Sequence, residues 1–147
     1  MKTVAEILKS KPDQTVHSIA PDVSVYDALR LMADKNIGAL LVMEQGRIVG
    51  ILSERDYARK VVLMDRSSKQ TAVRDIMTSS VMSARPDHSN EECMALMTDN
   101  RLRHLPVIDN GKLLGLVSIG DLVKDIISEQ QFTIEQLQHY IQGDRRA

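Results

Sequence analysis

Two short segments of this chain place a hydroxyl and a carboxylate three residues apart behind an apolar pair and a glycine: Gly50-Ile-Leu-Ser53-Glu-Arg-Asp56 and Gly115-Leu-Val-Ser118-Ile-Gly-Asp121. The pattern falls where an extended run turns into a helix. At that junction a Ser N-cap and an Asp at the third helical position can close a variant capping box, and the carboxylate sits well in the helix dipole. The same geometry can serve a ligand, because a carboxylate accepts both hydroxyls of a ribose diol and a hydroxyl with free N–H groups suits a phosphate. The glycine would let a ligand approach the strand backbone closely. On spacing alone both uses stand, cap and ligand.

Other chemistries are harder to assemble. The single cysteine, Cys93, can form no intramolecular disulfide and supplies no ligand set for zinc; on the apolar face of a helix, matched by Ala28, it reads as a small core residue. His17, His88 and His139 lack metal-ligand spacing and read as surface groups, so no metal site is expected. Neither a nucleophile with a base nor a means of activating water is evident, and an enzyme is therefore not expected.

The elements that must position these groups come in duplicate. Shifted by 65 residues, Val16–Val61 aligns with Val81–Ile126 without a gap and with 14 identities in 46 positions, so the chain is a tandem of two similar units. The lead-ins correspond too, Val4–Ser10 with Val73–Ser79, once Lys11–Gln14 are allowed as extra residues in the first copy. Each unit reads β-α-β-β-α: a short strand near 16–19, a helix opened by Ser24 or Ser89, then two apolar runs joined by a turn. In the second copy that turn is Asp109-Asn-Gly-Lys112, whose centre favours a two-residue hairpin. The expected divisions are 1–70 for the first repeat with its lead-in, 71–128 for the second, and 129–147 for a C-terminal helix and tail. That last helix either covers exposed core or binds a partner, including a second copy. A unit of ~65 residues buries too little surface to be robust alone, so the copies are expected to pack together with pseudo-twofold symmetry around two equivalent clefts.

Composition bounds the remaining classes. With 147 residues, 43% apolar and 27% charged, the chain is too apolar for disorder, while its longest apolar stretch, Ile37–Met43, is far short of the ~20 residues that span a bilayer. A net charge of −1 and only four aromatic rings argue against nucleic acid as a partner. The first residues lack the apolar core and cleavage site of a secretory signal, which makes the cytoplasm the expected location.

Taken together, the lead-in Val73–Thr78, the stretch Val81–Asp87, Arg103-His-Leu-Pro-Val-Ile-Asp109, Gly111–Gly115 and the two G-h-h-S-x-x-D segments resemble a tandem cystathionine-beta-synthase (CBS) domain pair, or Bateman module. The resemblance covers nearly the whole chain and implies an α+β fold of the CBS type. It also implies a regulatory module that binds an adenosine ligand (AMP, ADP, ATP, S-adenosylmethionine or NAD) in the clefts between repeats and signals by changing shape. In such proteins the aspartate holds the ribose, the Ser or Thr assists at ribose or phosphate, and adenine lies against the first two strands. Carried over, one site would use Val16, Ser18, Ile37, Gly38, Ala39, Ser53, Arg55 and Asp56; the other Val81, Ser83, Arg101, Leu102, Arg103, His104, Ser118 and Asp121. The two are unequal, since Gly120 replaces Arg55 while Arg103-His104 replaces Gly38-Ala39. A homodimer and an effector protein are the expected macromolecular partners. The competing reading is a ligand-free interaction module that acts by dimerising and docking.

Overall fold

The computed structural model describes residues 2–146, and it sorts them into two packing units that exchange their lead-ins: residues 15–82 form one unit, and residues 2–14 join 83–146 in the other. Sequence repeats and packing units are thus drawn differently. The first lead-in packs with the second repeat, and the second lead-in with the first.

In the 15–82 unit, β1 (Ser18–Ile19) pairs in parallel with β2 (Ala39–Glu44), which pairs antiparallel with β3 (Arg47–Ser53). The β2–β3 turn has Gln45 at φ 52° and Gly46 at φ 76°, the positive pair of a twist-matched two-residue hairpin. Helix α2 (Val25–Lys35) is opened by the Ser24 hydroxyl, which accepts the Asp27 N–H, and is closed by Asn36 in left-handed backbone. It buries Val25, Ala28 and Met32 against Leu40, Val42 and Leu52, and the lead-in residues Val73 and Ile76 complete this core. A single 3₁₀ turn, Val73–Asp75, carries that lead-in.

The other unit repeats this plan. Helix α1 (Val4–Ser10), with a full Thr3–Glu6 capping box, takes the place of the 3₁₀ turn. Helix α4 (Asn90–Asp99) and the hairpin of β4 (His104–Asp109) and β5 (Lys112–Ser118) supply Cys93, Met97, Leu105, Val107 and Val117 to a core that Val4 and Ile7 complete. The Asn110-Gly111 turn has φ values of 50° and 79°, as its sequence predicts. The first strand of this copy is reduced to one bridge, Ala84 with Val107. Pro106 lies inside β4, while the register shift falls one residue further on, at Val107/Ile108; the first copy has the same shift at Val42/Met43 with Leu41 in place of the proline. The proline is therefore not what sets the bulge.

The helices after the hairpins differ sharply. In the first copy, α3 (Glu54–Tyr57) widens into a π turn over Ala58–Val62 and stops before Asp65, which has φ 54°. In the second copy, α5 (Ile119–Arg146) runs for 28 residues without a break, so the repeat's last helix and the expected terminal helix are one element. Between Asp121 and Gln142 no Gly or Pro interrupts it. Ala147 lies outside the described residues. Near its start, α5 is fixed by Asn90, whose Nδ2 donates to the Leu122 carbonyl (2.9 Å) and Asp125 Oδ2 (3.0 Å), and by Lys2, 3.4 Å from Asp125.

Candidate functional site

The paired glycines of the G-h-h-S-x-x-D segments face protein. A Cβ on Gly50 would lie 2.5 Å from Met77 Sδ, and one on Gly115 would lie 3.1 Å from both methyl carbons of Leu8. Met77 and Leu8 are equivalent lead-in residues, so these glycines make room for the exchanged lead-ins. The expectation that they admit a ligand to the strand is corrected accordingly.

At the first helix start, hairpin pairing sets Ala39 opposite Ser53, and the Glu54 N–H donates to the Gly38 carbonyl at 3.1 Å. The predicted second-strand residues and the Ser-x-x-Asp turn are thereby brought together. Ser53 caps α3: its Oγ accepts the Asp56 N–H at 3.2 Å, while its own N–H (3.0 Å) and O–H (3.1 Å) donate to Asp56 Oδ2. The other oxygen, Oδ1, faces Lys60 Nζ at 3.2 Å, and the same ammonium donates to the Ile76 carbonyl. Arg55 is exposed on the outer side of this turn. Ser18 lies opposite Leu41 in the β1–β2 pairing, and the half-buried Val16 precedes it. Ile37 closes the end of α2 by donating to the Met32 carbonyl.

The second helix start has the same frame and different charges. His104 pairs with Ser118 across the hairpin, and the Ile119 N–H donates to the Arg103 carbonyl at 2.8 Å. The Asp121 N–H donates to Ser118 Oγ, and the Ser118 N–H donates to Asp121 Oδ2 at 2.8 Å. Lys11 also reaches Oδ2, at 3.0 Å, and donates to the Leu116 carbonyl. Burial alone would push the Asp121 carboxyl up, but the Ser118 amide and the Lys11 ammonium outweigh it and hold the group below its usual range. Burial pushes the His104 imidazole down; Asp121 opposes this, and Lys11 and Arg103 reinforce it. Arg101 and Arg103 are exposed, and Leu102 is half-buried, donating to the Met97 carbonyl. Ser83 is exposed in this same unit, whereas Val81 belongs to the 15–82 unit.

Two cations absent from the predicted set therefore stand on the two carboxylates. Lys60 had a signal, since a lysine four residues after an aspartate meets it on a helix face. Lys11 had none: it comes from the four inserted residues, 110 positions from its partner. Each aspartate closes helix-capping bonds, yet their remaining capacity differs. A carboxylate offers about four lone-pair positions. Asp56 commits three, two on Oδ2 and one on Oδ1, whereas at Asp121 the Ser118 amide and the Lys11 ammonium share Oδ2.

Among the other predicted outliers, Cys93 is fully buried, its thiol pushed up to about 11 by burial and by Glu92, which suits a core residue. His88 is more than a surface group, because its Nδ1 accepts the Arg85 N–H at 2.9 Å and closes the turn before α4.

Comparison with known proteins agrees with this duplicated geometry. The CBS domain pattern matches twice, over residues 4–63 and 73–128. The chain is 42% identical to the mitochondrial CBS domain-containing protein CBSX3 of Arabidopsis thaliana, over 96% of this chain and 72% of that one. It is 34% identical to the CBS domain-containing protein YhcV of Bacillus subtilis, over 78% and 81% of the respective lengths. Among solved structures, a signal-transduction protein with CBS domains from Burkholderia ambifaria superposes with a TM-score of 0.86 at 60% identity, covering 90% of this chain and 99% of that one. Two family matches on the two repeats, with relatives along nearly the whole length, place this chain in the CBS-domain family as a tandem of two such domains.

Proposed function

We propose that the chain is a regulatory module that binds an adenine nucleotide (AMP, ADP, ATP or NAD) at its two Ser-x-x-Asp helix starts and signals ligand state by conformational change, without catalysing a reaction. Its membership of the CBS-domain family and its likeness to a signal-transduction protein support the regulatory part. The ligand part is carried by one observation: the Asp121 carboxylate takes both its Ser118 amide bond and Lys11 on Oδ2, so that Oδ1, clear of these two, can accept from a ribose diol beside His104 and the Arg103 backbone. The exposed Arg101 and Arg103 are suited to the phosphates, as is Lys11. Asp56 has one position free and would take a diol in full only when Lys60 turns away. The Asp121 site is therefore the tighter of the two.

Calorimetric titration of AMP, ADP, ATP and NAD tests this. We expect binding that Asp121→Ala weakens more than Asp56→Ala, and a stability gain of ~2.7 kcal/mol at a hundred times the dissociation constant. Variants that lose cap stability yet bind as before would show that the aspartates serve only the helix, as would a parent chain giving no heat with any of the four. The ligand-free interaction module would then be the better reading. A ligand can shift the module only through unequal affinity for two conformations, so an effector protein should bind the loaded and empty forms differently. Self-association belongs to the same proposal: one similar solved structure, a cyanobacterial CBS-CP12 protein 29% identical to this chain, is described as hexameric. We place the protein in the cytoplasm, where a single buried thiol is the ordinary state of cysteine. Among the described residues, no helix is long and apolar enough to cross a membrane.

A further inference from the structure

Helix α5 carries two faces. In its first turns Leu122 and Asp125 are buried against their own unit, while Ile119, Val123 and Ile127 in those same turns are 37–56% exposed. Beyond Glu129 every side chain through Gln142 is exposed, and the apolar series continues with Ile134, Leu137 and Ile141. Counted outward from Gln130, the outer residues are symmetric, Val123 and Leu137 at seven positions and Ile119 and Ile141 at eleven, while the inner two are offset by one, Ile127 three positions before and Ile134 four after. Those intervals are one, two and three turns of 3.6 residues, so all six fall on one stripe with Gln130 at its centre.

We infer that this stripe binds the same stripe of a second copy, in a two-stranded antiparallel pair on a twofold axis through Gln130. A twofold interface requires that if residue i meets j, then j meets i, and the outer residues of the stripe meet that condition, while nearer the axis Ile134 falls opposite Ile126 and Ile127 opposite Thr133. Val123 then faces Leu137 of the second copy, Ile119 faces Ile141, and the two Gln130 amides meet and can satisfy each other. The paired length, from Ile119 to Ile141, is about 34 Å. Past Lys124 the flanking positions are Ile126, Gln131, Thr133, Gln138 and Tyr140, so a self-pair meets no like-charge repulsion and a charged partner finds little to recognise. This deepens the self-association within the proposed function by naming its surface. It does not depend on the ligand, which the titrations above test separately.

Sedimentation equilibrium of the full chain should give a species of twice 16.5 kDa. Ile134→Glu with Leu137→Glu should raise the dissociation constant by about a hundredfold or more, because the pair would have to bury the new charges, with thermal unfolding of the rest unchanged. Phe132→Ser, off the stripe, should leave the mass as it is. Under mild oxidation Gln130→Cys should form a covalent dimer and Ile141→Cys should not, since the latter faces Ile119. A monomeric parent chain, an unaltered mass in the double glutamate variant, or equal cross-linking at both cysteines would each overturn the pairing.

Discussion

Arg101 occupies left-handed backbone, φ 55°, at the position where the first copy has Asn36 at φ 54°. Asparagine tolerates that region and arginine is strained in it, by about 1 kcal/mol. Arg101→Asn should therefore stabilise the chain by about that amount in urea unfolding, and if the guanidinium holds phosphate it should weaken nucleotide binding as well. Asp121 makes a pH argument at the same scale. Its carboxyl is held below the ordinary 3.8, so its contribution to stability is complete above that value and is lost as the pH falls through the lower, folded value. Stability measured from pH 6 down to about 2 should show a steeper acid limb in the parent chain than in Asp121→Asn. His104 has the opposite charge logic. Its folded value lies below 6.5, so protonation favours the unfolded chain and stability declines as the pH drops below 6.5; His104→Gln should remove that decline.

At the scale of elements, most of the architecture was legible because local pattern and tertiary packing agree. Val25, Ala28 and Met32, apolar residues at helical spacing, are the ones α2 buries, Ser89 opens α4 with a full capping box, and Asn110-Gly111 makes the expected turn. Other choices are ones that local sequence leaves open. Val4 with Ile7, and Val73 with Ile76, have the same spacing and suit either sheet, so nothing in the chain says which lead-in goes where. The glycines looked like places for ligand approach because a missing side chain does not reveal what fills the space. Gly50→Ala tests the correction: with Met77 Sδ 2.5 Å from the new Cβ, the cost should be about 1–3 kcal/mol. Met77→Ala added to it should recover part of that loss, a coupling that a merely conformational effect of glycine would not show.

For the whole molecule, the predicted site was half legible. Duplication pointed to both aspartates and to the strand residues beside them, but one partner cation, Lys11, arrives through the exchange and could not be read from its neighbours. The exchange also decides where damage is felt. Val4 is fully buried in the core it shares with Ala84–Leu122, so Val4→Ala should cost about 1–3 kcal/mol and lower amide-exchange protection in β4, β5 and α4 while sparing β2 and β3. Val73→Ala should do the reverse.

The exchange also has a temporal side. On the ribosome, residues 15–82 form a contiguous stretch holding every piece of their own core and can settle as soon as they emerge. Residues 2–14 leave the tunnel before that stretch and are accommodated after it, because the strands that shelter Val4 and Ile7 are translated about a hundred residues later. Until then that apolar segment is exposed to chaperones and proteases, and its fate rests on strands the ribosome has yet to make.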